Sequence, residues 1–324
     1  MTSIHRRTAL AVTAAALLAP FGATHAADYP EKPITFIVPF AAASATDQLA
    51  RALGQSITEQ TKQTVIVENK AGASGMMAAQ AAAKAAPDGY TVLITTNTTH
   101  AANQHLYKKL PYDAVKDFAP VTGLGKGGQV LVVRADSPYK SVAELVAKAK
   151  KDPGKLSFGS GSSSSRVAGE MFKQLSGTDI LHVPYKSNPP AVTDLLGGQL
   201  DLMITDTATG IPHVKSGKLR ALGYSTQTRS RLLPEVPTIH EAGVKGYDMG
   251  YWFAAYVPDG TPAPVVTRLR ELLVAAARSP SAKTFFDNSG AEAWTTTPEE
   301  LAKFQADETQ KWGKVIKAAG IEAE

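Results

Sequence analysis

Short apolar runs rich in β-branched residues alternate with helix-forming runs from one end of the chain to the other, and this alternation limits the fold more than any single motif. The strand-like runs are 34–40, 64–67, 91–95, 130–134, 156–159, 180–183, 200–205 and 219–223. Between them, 47–60, 75–86, 142–151, 168–175 and 192–196 carry helical patterns, most of them bounded by Ser, Thr, Pro or Gly at cap positions. Such alternation predicts an α/β protein with mostly parallel sheets covered by helices on both faces.

Two strand-like runs break the rhythm because no short crossover follows them. One is 130–134, preceded by the Gly-rich 123–128, and the other is 251–257, followed by Pro258-Asp259-Gly260-Thr261-Pro262. Read as the two passages between lobes, they divide the chain into a first lobe of 27–129 plus 253–324 and a second lobe of 130–252. The final stretch opens with the capping signature Thr297-Pro298-Glu299-Glu300 and places Leu301, Phe304, Trp312 and Ile316 at helical spacing, so a long helix should pack back on the first lobe.

Residues 1–26 read as a cleavable export leader. His5-Arg6-Arg7 supplies the positive start, 8–20 the apolar stretch and Thr24-His25-Ala26 the small-x-small cleavage site. The apolar run is shorter than the roughly 20 residues a membrane span needs, and no later run reaches that length. Periplasmic export is therefore expected. Arg6-Arg7 also permits the twin-arginine route, although the flanking residues match its motif only loosely.

The chain contains no cysteine, which excludes disulfides, thiolate metal sites and cysteine nucleophiles together. Its net charge of +5 includes Arg6 and Arg7 of the leader, and no basic block interleaves with aromatics as a nucleic-acid surface requires. The histidines outside the leader show no zinc signature. No metal or cofactor is expected, and the protein should act as a monomer.

In open parallel sheets, ligands bind beyond the carboxyl ends of strands, where loops lead into helix N-termini whose free N–H groups favour anions. Two segments fit this description. The first is Phe40-Ala41-Ala42-Ala43-Ser44-Ala45-Thr46-Asp47, and the second is Ser160-Gly161-Ser162-Ser163-Ser164-Ser165-Arg166. The lobe boundaries place them in different lobes, so one ligand would meet both helix starts. Arg166 stands in a first helical turn, where a cation opposes the helix dipole, and reads equally as a ligand contact or a surface side chain. Thr96 and Asn97, just past the 91–95 run, join the candidate set. So do Tyr185, the one aromatic placed near a cleft, and Asp206, either a helix cap or an acceptor for a ligand amine or hydroxyl.

Two catalytic motifs are only apparent. Gly123-Leu124-Gly125-Lys126-Gly127-Gly128 satisfies Gly-x-Gly-x-x-Gly but precedes a strand instead of joining strand to helix, which defeats a dinucleotide reading. The serines 162–165 lack the Gly-x-Ser-x-Gly elbow of a hydrolase, so a serine enzyme using His182 or His100 ranks below a binding protein.

Ordered motifs along nearly the whole mature chain then carry a resemblance. They include Tyr29-Pro30-Glu31-Lys32-Pro33-Ile34, Val67-Glu68-Asn69-Lys70-Ala71-Gly72-Ala73-Ser74-Gly75, Pro87-Asp88-Gly89-Tyr90-Thr91, Leu110-Pro111-Tyr112-Asp113, His182-Val183-Pro184-Tyr185-Lys186 and Asp194-Leu195-Leu196-Gly197-Gly198-Gln199. The chain resembles the Bug receptors, extracytoplasmic solute-binding proteins of tripartite tricarboxylate transport systems. The resemblance implies a two-lobed periplasmic-binding-protein fold of the Venus-flytrap type II kind and a small organic anion ligand: a dicarboxylate, acidic amino acid or aromatic acid. It also implies a membrane permease as partner, with a membrane sensor as the alternative recipient of the bound form. It assigns the ligand carboxylate to backbone amides, small hydroxyls and water in 40–47 and 160–166. Two departures stand out: Ala43-Ser44 replaces the usual Gly-Gly, and the second loop is about two residues shorter, with Arg166 where histidine is common. Alanine and serine resist positive φ where glycine does not.

Overall fold

The computed structural model describes residues 29–324, so the leader and its cleavage site lie outside the described residues. The strands are β1 (Ile34–Val38), β2 (Val65–Asn69), β3 (Thr91–Thr96), β4 (Phe118–Arg134), β5 (Ser157–Ser160), β6 (Leu181–Pro184), β7 (Leu202–Asp206), β8 (Leu219–Tyr224), β9 (Gly250–Pro258) and β10 (Glu292–Ala293). The helices that matter below are α1 (Ala45–Thr61), α2 (Met76–Ala83), α3 (Asn103–Leu106), α4 (Val142–Lys151), α5 (Ser163–Ser176), α6 (Asn188–Leu196), α7 (Thr207–Lys215), α8 (Ala263–Ala277), α9 (Pro280–Ser289) and α10 (Pro298–Ala318).

The strands form two sheets that meet on β4. In the first sheet, β2, β1 and β3 are parallel, and β9 and β4 continue it in antiparallel fashion. In the second, β7 and β8 each pair antiparallel with β4, while β5 and β6 extend from β7 in parallel. The molecule is therefore a two-lobed α/β protein in which β4, 17 residues long, passes from one sheet to the other.

The Gly-rich 123–128 is not a loop ahead of a strand but the middle of β4, paired with β9. Space explains its composition. A Cβ on Gly123 would lie 2.5 Å from the Trp294 ring, one on Gly127 2.4 Å from the Tyr251 hydroxyl, and one on Gly128 2.5 Å from the Tyr224 ring. Glycine lets three aromatic rings lie directly over the crossing strand.

Helix α1 buries Leu49, Leu53 and Ile57 in a cluster with Phe36, Ile94, Leu269 and Leu273. Each such side chain contributes about 1.5–3 kcal/mol on burial. The second sheet has its own core of Val130, Val132, Leu195, Leu200, Met203 and Ile211. Helix α10 starts as its sequence predicts, with Thr297 and Glu300 forming a reciprocal capping box and Leu301, Trp312 and Ile316 buried.

Two helices begin earlier than their apolar patterns suggest. Helix α5 starts at Ser163 because its first turn consists of serines, which hide the 3.6-residue period. Helix α6 starts at Asn188 because Pro189 and Pro190 occupy the first turn, where the missing N–H groups cost nothing. Helices α8 and α9, among the described residues, fall outside the predicted set altogether.

Candidate functional site

A cleft lies where the two sheets meet. Its walls come from chain segments far apart in sequence, chiefly Phe40, Ser44, Ala45 and Thr46 on one side and Gly161, Ser162, Ser164, Ser187 and Asn188 on the other. Thr96 ends β3 and Asn97 and Thr98 follow it, and Gln129, Asp206, Tyr251 and Phe253 complete the lining from β4, β7 and β9.

Four helix starts converge here, and they differ in what they offer. The first N–H groups of any helix have no intrahelical acceptor and carry partial positive charge. At α1, Ser44 is the N-cap and its hydroxyl accepts from Asp47 N at 3.3 Å. At α5, Ser162 caps through a reciprocal pair with Ser165. Helix α7 is different because its N-cap is a carboxylate: Asp206 Oδ1 accepts from Thr209 N at 2.8 Å and offsets the positive end. Helix α6 is different again. Its prolines remove the N–H groups that Ser187 would cap, so the Ser187 hydroxyl accepts instead from Ala41 N, 3.3 Å away on the opposite wall. An anion in the cleft therefore finds free main-chain donors at α1 and α5 and few elsewhere.

The lining contains no lysine or arginine, and Asp206 is its one charged side chain. Both Asp206 oxygens already accept a hydrogen bond, Oδ2 taking one from Asn188 Nδ2 at 2.8 Å. The walls are also joined directly. Asn97 Nδ2 donates to Ser164 Oγ at 2.5 Å, and Ser163 Oγ donates to Asn103 Oδ1 at 2.7 Å. Arg166 forms a 2.7 Å ion pair with Glu324. These bonds tie the two sides of the cleft together.

Of the residues singled out from sequence, Phe40, Ser44, Ala45, Thr46, Thr96, Asn97, Ser162, Ser164 and Asp206 line the cleft. The other six do not, each for a visible reason. Ala43 is exposed at the turn before α1 with φ of 64°, so the alanine holds the left-handed conformation that glycine adopts freely. Asp47 turns inward, accepting from Ala43 N, Asn69 Nδ2 and Arg51. Ser160 Oγ is bonded to His182 Nε2 at 2.6 Å, and Ser163 is spent on Asn103. Arg166 is occupied by Glu324, and the Tyr185 hydroxyl donates to Asp194 at 2.7 Å. That bond to a carboxylate comes second to burial in pushing the Tyr185 phenol up to about 12.

The serine run also resolves into structural roles. Ser162 and Ser165 cap α5, while Ser163 and Ser164 bridge to Asn103 and Asn97. The histidine that meets a serine is His182, and its partner is Ser160, outside that run. Burial, and then the nearby Arg166, lower the His182 pKa to about 4. Sequence reasoning missed Thr98, Gln129, Gly161, Ser187, Asn188, Tyr251 and Phe253 as lining residues. Gly161 lay inside a named loop, and the two prolines after Asn188 marked a helix start, but nothing local announced Gln129.

Comparison with known proteins places this geometry. Residues 49–321 match the family described as tripartite tricarboxylate transporter family receptor. Among solved structures, the periplasmic binding protein BugD superposes with a TM-score of 0.88 at 34% identity, covering 91% of this chain and all of BugD. The Rpa4515 protein of R. palustris with adipate gives 0.88 at 34% identity over 91% of this chain and all of that one. MatC from Rhodopseudomonas palustris with bound malate gives 0.84 at 30% identity over 89% and all of that chain. The chain therefore belongs to the tripartite tricarboxylate transporter receptor family, as a Bug-type solute-binding protein and not an enzyme.

Proposed function

We propose that the protein is a periplasmic receptor that captures a small carboxylate between its lobes and delivers it, enclosed, to the membrane permease of a tripartite transporter. The lobes are taken as 27–129 plus 253–324 and 130–252, with export driven by the leader at 1–26. The observation that carries this reading is the pair of helix starts, α1 from one wall and α5 from the other, that face one cleft without any cationic side chain in its lining. Main-chain donors and hydroxyls suit an anion that must later be released, because they stabilise charge without an ion pair to break. The related receptors bound to adipate and malate support a carboxylate of this size.

Closure follows if the ligand binds the closed form more tightly than the open one. Ligand-free protein, prepared by unfolding and refolding, should melt at higher temperature with the correct acid, since saturation at 100 times Kd contributes about 2.7 kcal/mol. Mass spectrometry of small molecules released from freshly purified protein would name candidates directly. If a broad panel of mono-, di- and tricarboxylates and amino acids gave no shift with ligand-free protein, the reading would fail.

A further inference from the structure

Arg166 and Glu324 are absent from the cleft lining, yet their ion pair joins its two sides. Arg166 stands in the first turn of α5, where a cation faces the positive end of its own helix. Nothing in α5 itself therefore favours it there. Its side chain is nonetheless only 18% exposed, and it reaches Glu324, which is 60% exposed, at 2.7 Å. Among the described residues Glu324 is its one ion-pair partner, and Arg166 Nε bonds to nothing. Most of a guanidinium is thus withdrawn from water beside a single carboxylate.

That carboxylate is held in place through its backbone. Glu324 N–H donates to the Leu106 carbonyl at 2.9 Å, and the Glu324 carbonyl accepts from Lys108 N at 2.8 Å. On α3, just before, Asn103 Oδ1 accepts from Ser163 Oγ, while Asn103 Nδ2 donates to the Ser74 carbonyl at 3.0 Å. Both crossings from α5 therefore land on one stretch, 103–108, in the connection between β3 and β4. They differ in kind. Asn103 and Ser163 are fully buried, whereas the Arg166–Glu324 pair is half in water and open to screening.

We infer that Arg166 and Glu324 are positioning residues for capture: a latch outside the ligand space that holds the start of α5 against 103–108 and biases the two walls towards being joined. Without the carboxylate, the guanidinium would lie mostly buried and unpaired, which is costly. It regains water if α5 withdraws from 103–108, and the start of α5 is one of the two anion-facing walls. A contact that favours the joined walls slows release of the solute between them without touching it. The latch acts whatever solute the walls hold, so it stands apart from the carboxylate reading.

The chain contains no cysteine, so Gln55→Cys on α1 and Thr193→Cys on α6, both exposed, place one spin label on each side. Double electron–electron resonance on ligand-free, refolded protein then reads the ratio of long to short label distances. Glu324→Ala and Arg166→Gln should each raise that ratio roughly threefold, as befits an ion pair with one partner largely in water. The double variant should go no further than either single one, because both remove the same contact. Raising NaCl from about 0.1 M to about 1 M should shift the wild type in the same direction and Glu324→Ala less. The response that remains belongs to other pairs, such as Arg231 with Asp287. Equal ratios in all four proteins, or a wild type without a short-distance population, would overturn the latch. So would additive shifts in the double variant, or a salt response as large in Glu324→Ala as in the wild type. Carboxylate capture would stand in each of those cases, because no ligand enters the measurement.

Discussion

The two walls of the cleft present the same element, a helix start with free N–H groups, but they are braced in different ways. The loop before α1 is held by charge. Asp47, with its side chain 3% exposed, gathers Ala43 N, Asn69 and Arg51, while Ala43 sits at φ of 64° to make the turn. The loop before α5 is held by neutral groups. Ser162 and Ser165 cap each other, and Gly161 N donates to Ser165 Oγ and to Asn188 Oδ1. Free amides at a helix start have to be held in place, and either a buried carboxylate or a hydroxyl network can hold them. The charged brace stores some backbone strain, whereas the neutral one depends on close approach of two chains.

That dependence is where the comparison is most easily broken. A Cβ on Gly161 would lie 1.9 Å from the carbonyl carbon of Ser187 and 2.1 Å from Asn188 N, both backbone atoms that cannot swing aside. Gly161→Ala should therefore cost about 3 kcal/mol by overpacking. At about 2–4 °C per kcal/mol, the melting temperature should fall by roughly 6 °C or more. Ligand affinity should drop with it, because Ser187 also bonds Ala41 across the cleft. A melting temperature within a degree of the wild type would show that the neutral wall is looser than described.

The charged wall should yield less. Asp47→Leu leaves Ala43 N without its acceptor and Asn69 Nδ2 with only the Phe40 carbonyl, and we expect a loss of about 2 kcal/mol by thermal or urea unfolding. Arg51 is 54% exposed and returns to water, so it adds little to that figure. A loss equal to that of Gly161→Ala would erase the distinction between the walls.

The smallest effect should have the opposite sign. Ala43→Gly relieves roughly 1–2 kcal/mol of left-handed strain and gives back roughly 0.5–1 kcal/mol in unfolded-state entropy. The net gain of about 0.5 kcal/mol should raise the melting temperature by about 1–2 °C. Any decrease would mean that the turn is not strained by its alanine.

The sequence displayed some of this plainly. Alternating runs predicted strands and helices because their periods, two and 3.6, are local properties. The Thr297–Glu300 capping box announced α10 for the same reason. Patterns failed where polar or imino residues carry the structure: the serine turn of α5, the prolines of α6, and the glycines of β4, whose role is to admit aromatic rings from elsewhere. Among the candidate residues, small residues beside helix starts were legible, since tiny side chains ahead of an apolar run have few other uses. Arg166 and Tyr185 were not, because their partners Glu324 and Asp194 are set by packing.

Local patterns alone carried the α/β class, the small-residue loops that precede α1 and α5, and the family resemblance. Only the tertiary structure decided which side chains reach the cleft. It turned Asp47 inward, spent Ser163 on Asn103 and Arg166 on Glu324, and brought Gln129 into the cleft lining from the middle of β4. The physical reason is that a helix start is written in neighbouring residues, whereas the satisfaction of a buried polar group depends on whatever the rest of the chain brings beside it.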